Sequence, residues 1–346
     1  MENFKEFTLL DVSNDDYHKQ HGADVHYYSS SQLKVMLEDP ELFYKTYITK
    51  EIGRKEIPAF AIGTYFHTAI LEPEKLGEEC AVWDGTRRGK AWDQFQIDNA
   101  GKAIVTKNEL PKAMTLIDGY NNSEIAKQIY SGGQAELSLF VSYFVDLEAG
   151  EVYLDADSEW RLGLNGWEEL PTRGCLQEEG LINMRVKVRA DYLRRASGEM
   201  GGYIADLKST TGNPRKQHTI LEKIKSYVYD MSASLYLDAF NAFTIFDTGV
   251  SEFEGFYWSF GTKDFPLMQN YDCTQKMFQV GRAKYKKALL ELAKYTKSGW
   301  VFEEEVISLD PPSWEDVWLK APEKAQSKAK FTTTNINTDS LGEDLL

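Results

Sequence analysis

The feature of this 346-residue sequence that most constrains its fold is a pair of strand-like segments on either side of a glycine-rich stretch. Residues 184–191 alternate apolar and polar side chains, and residues 203–208 form a short apolar run that ends in charge. Both patterns are typical of β-strands, and the stretch 197–202 between them indicates a turn. The midpoint between Asp191 and Asp206 falls inside this turn. A symmetric hairpin would therefore place the two carboxylates almost opposite each other.

Three acids and one lysine lie on the strand-like segments. Asp206 and Lys208 share one face of a strand, whereas Leu207 points to the other face, and Glu136 adds an acid from a further strand-like segment. Carboxylates held this close repel one another unless a cation lies between them, and oxygen ligands favour Mg2+ or Mn2+. Such an ion suits attack on a phosphodiester, in which Lys208 would orient the water or offset charge. The alternative is a solvated strand face with ordinary charges.

Four blocks of the sequence, in this order along the chain, carry a resemblance to a known family. They are FAIGTYFHTAILEP at 60–73, GKAWDQFQ at 89–96, ADYL at 190–193 and DLKSTT at 206–211. From about residue 27 to about residue 239 the chain resembles the exonuclease VIII (RecE-type) nucleases of phages and prophages, which belong to the PD-(D/E)xK superfamily. Many nucleases share DLKST, whereas the GxxxHxxxLEP spacing within the first block is more specific.

This resemblance implies an α/β fold with a restriction-endonuclease-like core, in which helices flank a central mixed sheet. It implies a metal-dependent exodeoxyribonuclease that resects linear double-stranded DNA 5′ to 3′ and leaves 3′ single strands for recombination. It also implies Mg2+ or Mn2+ as two ions per site, a single-strand annealing protein as partner, and a ring-shaped homo-oligomer. The matching catalytic positions are Glu136, Asp191, Asp206 and Lys208, and the matching metal site adds His67 and the backbone carbonyl of Leu207.

His67 falls in a predicted helix that Pro58 opens at its first turn and Glu72-Pro73 closes. Ala59, Gly63 and Ile70 share its stripe at helical spacing, and the small residues at 59 and 63 would let the helix lie close to the sheet. A histidine on such a stripe is either a hydrogen-bonded core residue or part of the active site. The resemblance favours the active site.

A second amphipathic helix is predicted over residues 220–243. Its apolar stripe consists of Ile220, Ile224, Val228, Met231 and Leu235. Tyr229, Ser232 and Tyr236 follow a neighbouring stripe, and many members of the family have glutamine where this chain has Ser232. We therefore predict that Tyr229 and Tyr236 contact DNA, with simple packing against the sheet as the alternative for Tyr229.

The net charge of −15 argues against indiscriminate coating of DNA, because non-specific affinity comes from neutralising phosphates. A locally basic channel remains compatible with this charge. The predicted DNA contacts come from two basic patches and are Arg87, Arg88, Lys90, Arg185, Lys187 and Arg189. A third basic patch contains Arg282, Lys284, Lys286 and Lys287. Solvated basic faces are the alternative for all three patches.

Composition bounds the organisation of the chain. Three separated cysteines, Cys80, Cys175 and Cys273, predict neither an iron-sulfur cluster nor a structural zinc site nor a disulfide framework. No apolar run is long enough to span a membrane and the polar start is unlike a signal peptide, so we expect a cytoplasmic protein. The resemblance to phage and prophage nucleases implies a bacterial host cell. The predicted segments are a polar leader with His18, His21 and His26 at 1–26, a nuclease domain at 27–320, and a tail with an acidic tip at 321–346.

Two other functions stay open on the sequence. The chain could be a DNA-end-binding or recruitment module that has lost activity, which the presence of every acid and the lysine disfavours. It could also be a structure-specific endonuclease of the same superfamily. Closed circular DNA distinguishes the endonuclease, because an exonuclease needs an end.

Overall fold

A computed structural model of the chain describes residues 7–10, 12, 17, 26–53, 59–154, 160–170, 180–198 and 200–302. The predictions that concern His18, His21, Cys175 and the tail at 321–346 lie outside these residues. The described strands and helices all belong to a compact unit within residues 1–301. None of the described helices is long and apolar enough to cross a membrane.

The described strands form one large mixed sheet and one small parallel pair. The order in the large sheet is β12-β11-β10-β9-β5-β6-β7-β8, with β1 paired to β5 and β2 paired to β9. β10–β11 and β2–β9 are parallel pairs, and the other pairs of this sheet are antiparallel. The strands are β1 (Phe7–Leu10), β2 (Tyr28–Ser29), β3 (Cys80–Trp83), β4 (Ala103–Thr106), β5 (Gln134–Asp146), β6 (Glu151–Tyr153), β7 (Trp160–Gly163), β8 (Gly166–Glu169), β9 (Leu181–Arg194), β10 (Gly202–Thr210), β11 (Phe253–Thr262) and β12 (Met268–Asp272).

Helices flank this sheet, so the predicted α/β architecture with a central mixed sheet is confirmed. The described α-helices are α1 (Ser30–Glu38), α2 (Pro40–Phe43), α3 (Ala59–Leu71), α4 (Leu76–Glu79), α5 (Lys90–Asp98), α6 (Leu110–Asn121), α7 (Glu124–Ile129), α8 (Gln217–Ser226), α9 (Tyr229–Thr248) and α10 (Gln275–Ser298). The larger apolar cluster joins the sheet to α1, α8, α9 and α10. A smaller cluster joins the sheet to α3, α6 and α7. The smaller cluster contains Leu207, so this residue points away from the larger core as predicted.

The predicted hairpin is present as the antiparallel pair β9–β10. Its register matches Tyr203 with Arg194 and Ala205 with Tyr192. The same register would next match Asp206 with Asp191, although the ladder of paired residues stops one step earlier. The symmetric register expected from the glycine turn is therefore correct, and it ends at the two acids.

The single helix predicted over 220–243 is wrong, because the chain forms α8 and α9 with a break at Val228. This residue has a φ of 50°, in the left-handed region. A β-branched side chain rarely adopts this conformation, and such strain costs about 1–3 kcal/mol. Ile220 and Ile224 on α8 and Leu235 on α9 are still buried as the stripe predicted. The apolar pattern thus located the buried residues but not the change of direction between them.

The third basic patch is not a free basic surface. Arg282 is 3% exposed and forms a bidentate pair with Asp238, whose carboxylate also accepts a hydrogen bond from Tyr285. Lys284 and Lys286 are each paired with a carboxylate as well. These three cations anchor α10 to its neighbours, whereas Lys287, the fourth cation of the patch, is exposed.

Helices α9 and α10 approach most closely at Gly281. A Cβ atom built on Gly281 would lie 2.1 Å from the carbonyl oxygen of Asp230 and 2.2 Å from the Oγ atom of Ser234. Ser234 Oγ is itself held by hydrogen bonds to the carbonyls of Asp230 and Phe278. No side chain larger than hydrogen fits here without moving one of the two helices.

We predict that Gly281→Ala destabilises the protein by about 1–3 kcal/mol, the usual cost of overpacking a core. The matched control is Gly77→Ala in α4, where a Cβ atom meets nothing within 4 Å and alanine is the better helix former. Urea unfolding should show a lower midpoint for the first variant and an unchanged or higher midpoint for the second. Equal midpoints would contradict the tight packing of α9 on α10.

Candidate active site

Three acids lie side by side across three neighbouring strands. The β5–β9 register matches Ala135 with Tyr192 and therefore sets Glu136 opposite Asp191. The β9–β10 register sets Asp206 opposite Asp191 on its other side. The acids predicted from three separate segments are thus brought together at one level of the sheet.

The carboxylate of Asp191 occupies the point where β9 and β10 stop pairing. Its Oδ2 atom accepts a hydrogen bond of 2.8 Å from the backbone N–H of Leu207, so a side chain takes the place of the next ladder bond. The Nδ1 atom of His67, from α3, lies 3.6 Å from the same oxygen. Gly63 on α3 lies close to β10, since a Cβ atom there would be 3.8 Å from Ser209 Oγ. The predicted close approach of this helix to the sheet is therefore present.

Glu136 carries its carboxylate on a strained backbone. Its φ is 50°, which is uncommon for a residue other than glycine. Arg189 Nε lies 3.1 Å from Glu136 Oε2 and also donates a hydrogen bond to the Glu136 carbonyl. Burial, and then the charge of Asp191, raises the pKa of Glu136 above its ordinary value. Without a cation, this carboxyl therefore resists ionisation although Arg189 is near.

Asp206 and Lys208 form an ion pair on β10, through Lys208 Nζ and Asp206 Oδ1. Burial raises the pKa of Asp206 to about 7; Lys208 opposes this shift and Asp191 adds to it. Burial alone would lower the pKa of Lys208, but the charges of Asp206 and Asp191 raise it above its usual range. Lys208 is therefore a cation at neutral pH.

The residues present fit a divalent cation. His67, Glu136 and Asp191 each offer a ligand atom, and these atoms lie within 4.8 Å of one another. Burial and the charge of Lys208 lower the pKa of His67 to about 4, so its imidazole is neutral at pH 7, the form that binds a metal. Burial first, and then the charge of Asp191, raises the pKa values of Glu136 and Asp206, and a bound cation would favour their ionised forms. Asp206 is not a member of this trio, and its carboxylate contacts Lys208.

A cavity of about 310 Å³ opens onto these groups. Tyr229, Ser232 and Tyr236 of α9 line it, and Ser232 Oγ lies 2.9 Å from Ser30 Oγ of α1. That the two tyrosines contact DNA stays a prediction. Lys34 of α1 also lines the cavity. The sequence analysis did not single out Lys34, because a lone lysine on an amphipathic helix carries no signal of its own.

The residues predicted to contact DNA have different surroundings. Lys187 is 3% exposed, and its ammonium group donates to the Tyr17 carbonyl, so the structure places it in the interior and not on a DNA-facing surface. Arg87 forms a bidentate pair with Glu109. Arg88 and Lys90 are exposed. Arg87, Arg185 and Arg189 are partly exposed, and Arg189 pairs with Glu136.

Comparisons with known proteins give a distant structural likeness. No protein-family model matches the chain. No curated protein matches it either. A crystal structure of a putative exonuclease from Eubacterium rectale aligns with 90% of this chain and 99% of its own, at a TM-score of 0.49 and 16% sequence identity. A likeness of this degree carries no argument about function.

We predict that metal-free protein loses stability, relative to the Asp206→Asn variant, as the pH rises from about 4 to about 7. The pKa of Asp206 rises from 3.8 to about 7 on folding, so the folded state holds a proton that the unfolded state has released, and this contribution disappears as the proton leaves. Saturating Mg2+ should reduce the loss, because the ion favours the ionised carboxylate. Urea unfolding at a series of pH values measures the difference.

The control for this titration is Asp247→Asn, at an exposed position near the end of α9. Its stability difference from wild type should not change with pH in the same way. A flat difference for Asp206→Asn would contradict the assignment of a raised pKa to this carboxyl.

Proposed function

We propose that this chain is a metal-dependent exodeoxyribonuclease that resects linear double-stranded DNA. The observation that carries the proposal is the row of Glu136, Asp191 and Asp206 across three strands with Lys208 beside it. Such a set of carboxylates with one cation suits hydrolysis of a phosphodiester, where negative charge develops in the transition state.

The metal-binding residues would be His67, Glu136 and Asp191, with Asp206 joining when the ion competes with Lys208 for its carboxylate. When bound, a divalent ion supplies Lewis-acid activation of the phosphodiester and of the attacking water. Mg2+ is the proposed ion, with Mn2+ as a substitute, because oxygen ligands dominate the set. Two ions per site belong to the proposal through the resemblance to exonuclease VIII nucleases.

Lys208 would stabilise charge. In the site without an ion, the charges of Asp206 and Asp191 raise the pKa of Lys208, so its ammonium group is protonated there. An ammonium beside the carboxylates would face the phosphoryl oxygens, where it offsets the charge that forms as the nucleophile attacks. The backbone N–H of Leu207 keeps the Asp191 carboxylate oriented throughout.

The finer features of the proposal come from the sequence resemblance. They are 5′ to 3′ polarity, production of 3′ single strands for recombination, a single-strand annealing protein as partner, and a ring-shaped homo-oligomer. The restriction-endonuclease-like, PD-(D/E)xK form of the α/β core belongs to the same proposal. Phage or prophage origin and the bacterial cytoplasm as location complete it.

The test is digestion of a linear duplex labelled separately at its 5′ and 3′ ends, with Mg2+ or EDTA, beside closed circular DNA. We expect release of the 5′ label from linear DNA only, and no release with EDTA. Lys208→Ala should lower the rate about 100- to 1000-fold, the usual effect of removing one group that stabilises transition-state charge.

The matched control is Lys225→Ala, which removes a lysine of the exposed face of α8 outside the cavity and should leave the rate unchanged. Cleavage of closed circles would favour the endonuclease. Binding to DNA ends without degradation under any divalent metal would overturn the nuclease proposal and favour a recruitment module.

A further inference from the structure

We infer that the cavity continues into a subsite for one nucleotide of the bound strand, whose base stacks on the exposed face of Tyr227 and whose phosphate pairs with Lys34. This inference rests on the proposed function for the identity of the strand as DNA. It adds a base-stacking surface and a second phosphate contact beside the acids and Lys208. The recognised ligand is a nucleotide unit with an unpaired base.

The stacking surface is a pair of tyrosines at the junction of α8 and α9. The rings of Tyr227 and Tyr229 are stacked, with centroids 5.4 Å apart and planes at 22°. Tyr229 lines the cavity, and Tyr227 is 58% exposed. A flat aromatic pair that runs from solvent to the catalytic lysine offers a π-face to a base, and such stacking tolerates any base.

The backbone at this junction is held in a strained form. Among the described residues, non-glycine positive φ values occur at Lys50, Glu136 and Val228. Glu136 is an acid of the site, and Val228 separates the two stacked tyrosines. Strained conformations concentrate where function requires a fixed geometry. The left-handed Val228 is what allows α8 to end and Tyr229 to begin α9 over the cavity.

Lys34 is a cation at the cavity that forms no close ion pair with a described carboxylate, although the charges of Asp206 and Asp230 act on it from a longer distance. Its ammonium group lies 5.3 Å from the centroid of the Tyr229 ring, and Lys208 Nζ lies 5.3 Å from the same centroid. Asp206 pairs with Lys208, and Glu136 pairs with Arg189, so these carboxylates already have cations. A partly buried ammonium group beside a second one is unfavourable unless an anion joins them. A DNA phosphate is the anion that this site would meet.

The stacking surface and the phosphate contact of the subsite meet at Tyr229. Lys34 and Lys208 both lie over its ring, and Tyr227 stacks on it. A phosphate on Lys34 would therefore lie next to the one at Lys208, and the base attached to that nucleotide would reach the tyrosines. Because a base inside a duplex is covered on both faces, this arrangement selects an unpaired terminal nucleotide. The subsite thereby favours a frayed DNA end over the interior of a duplex.

The experiment measures the affinity of wild-type and variant proteins for intact and modified linear duplexes. Ca2+ replaces Mg2+ so that the same complex can be compared for every protein. One series carries an abasic residue at successive positions of one strand, and a second carries a neutral methylphosphonate at the same positions. Wild-type protein should lose about 5- to 150-fold in affinity for an abasic residue at one position near the end. Tyr227→Ala should show the same overall loss on intact DNA and no further loss at that position.

Lys34→Ala should behave likewise towards the methylphosphonate, with a loss of about tenfold at the same or the adjacent nucleotide. Tyr227→Phe and Lys34→Arg should retain most of the affinity, because they keep the ring and the charge. Lys225→Ala is the control, because it removes the same charge. Its effect on affinity should add to the effect of the DNA modification at every position. Thermal unfolding verifies that each variant is folded.

Additive effects of Tyr227→Ala and Lys34→Ala at every position would overturn the subsite, even if the nuclease activity is present. Coupling at one nucleotide without any degradation would support the subsite and remove only the proposed chemistry. Coupling with bases deep inside the duplex would overturn the preference for an unpaired end.

Discussion

The hydrogen bond from the Leu207 backbone to the Asp191 carboxylate is the interaction on which the site depends. It replaces a strand-to-strand bond at the point where β9 and β10 separate. The acid is thereby held within the sheet and not on a free side-chain rotamer, with His67 beside it. Leu207 itself packs into the apolar cluster beneath α3. Sheet pairing, core packing and ligand orientation are consequently joined in one residue pair.

The three acids of the site differ in how neighbouring groups compensate their charges. Glu136 has Arg189 as partner and Asp206 has Lys208, whereas Asp191 faces a neutral imidazole and one N–H. Of these three acids, Asp191 is therefore the one whose charge is least compensated by a neighbouring cation. A divalent ion would gain most of its attraction there, since nearby unlike charges in a partly dry site interact strongly.

Much of this arrangement could be predicted from sequence, because period-two alternation and a glycine turn fix a hairpin register. Asp191 and Asp206 were placed correctly for that reason, and the helix of His67 followed from proline boundaries. The break at Val228 could not be predicted, since nothing in a continuous apolar stripe signals a left-handed residue. The interior position of Lys187 was equally hidden, because strand alternation gives the face of a side chain but not what covers it. Lys34 became visible only when α1 was seen next to Tyr229.

Glu136 combines two demands that no single amino acid meets well. Its left-handed backbone suits asparagine, aspartate or glycine, whereas its place opposite Asp191 calls for a carboxylate of sufficient length to meet the shared centre. Aspartate would relax the backbone but would withdraw its oxygens by one methylene, and glycine would supply no oxygen at all. Glutamate at this position therefore supplies the ligand atom and lowers the local stability of the backbone. Glutamate is the residue whose side chain brings an oxygen to this centre. The rest of the sheet must then supply the stability that its left-handed backbone lacks.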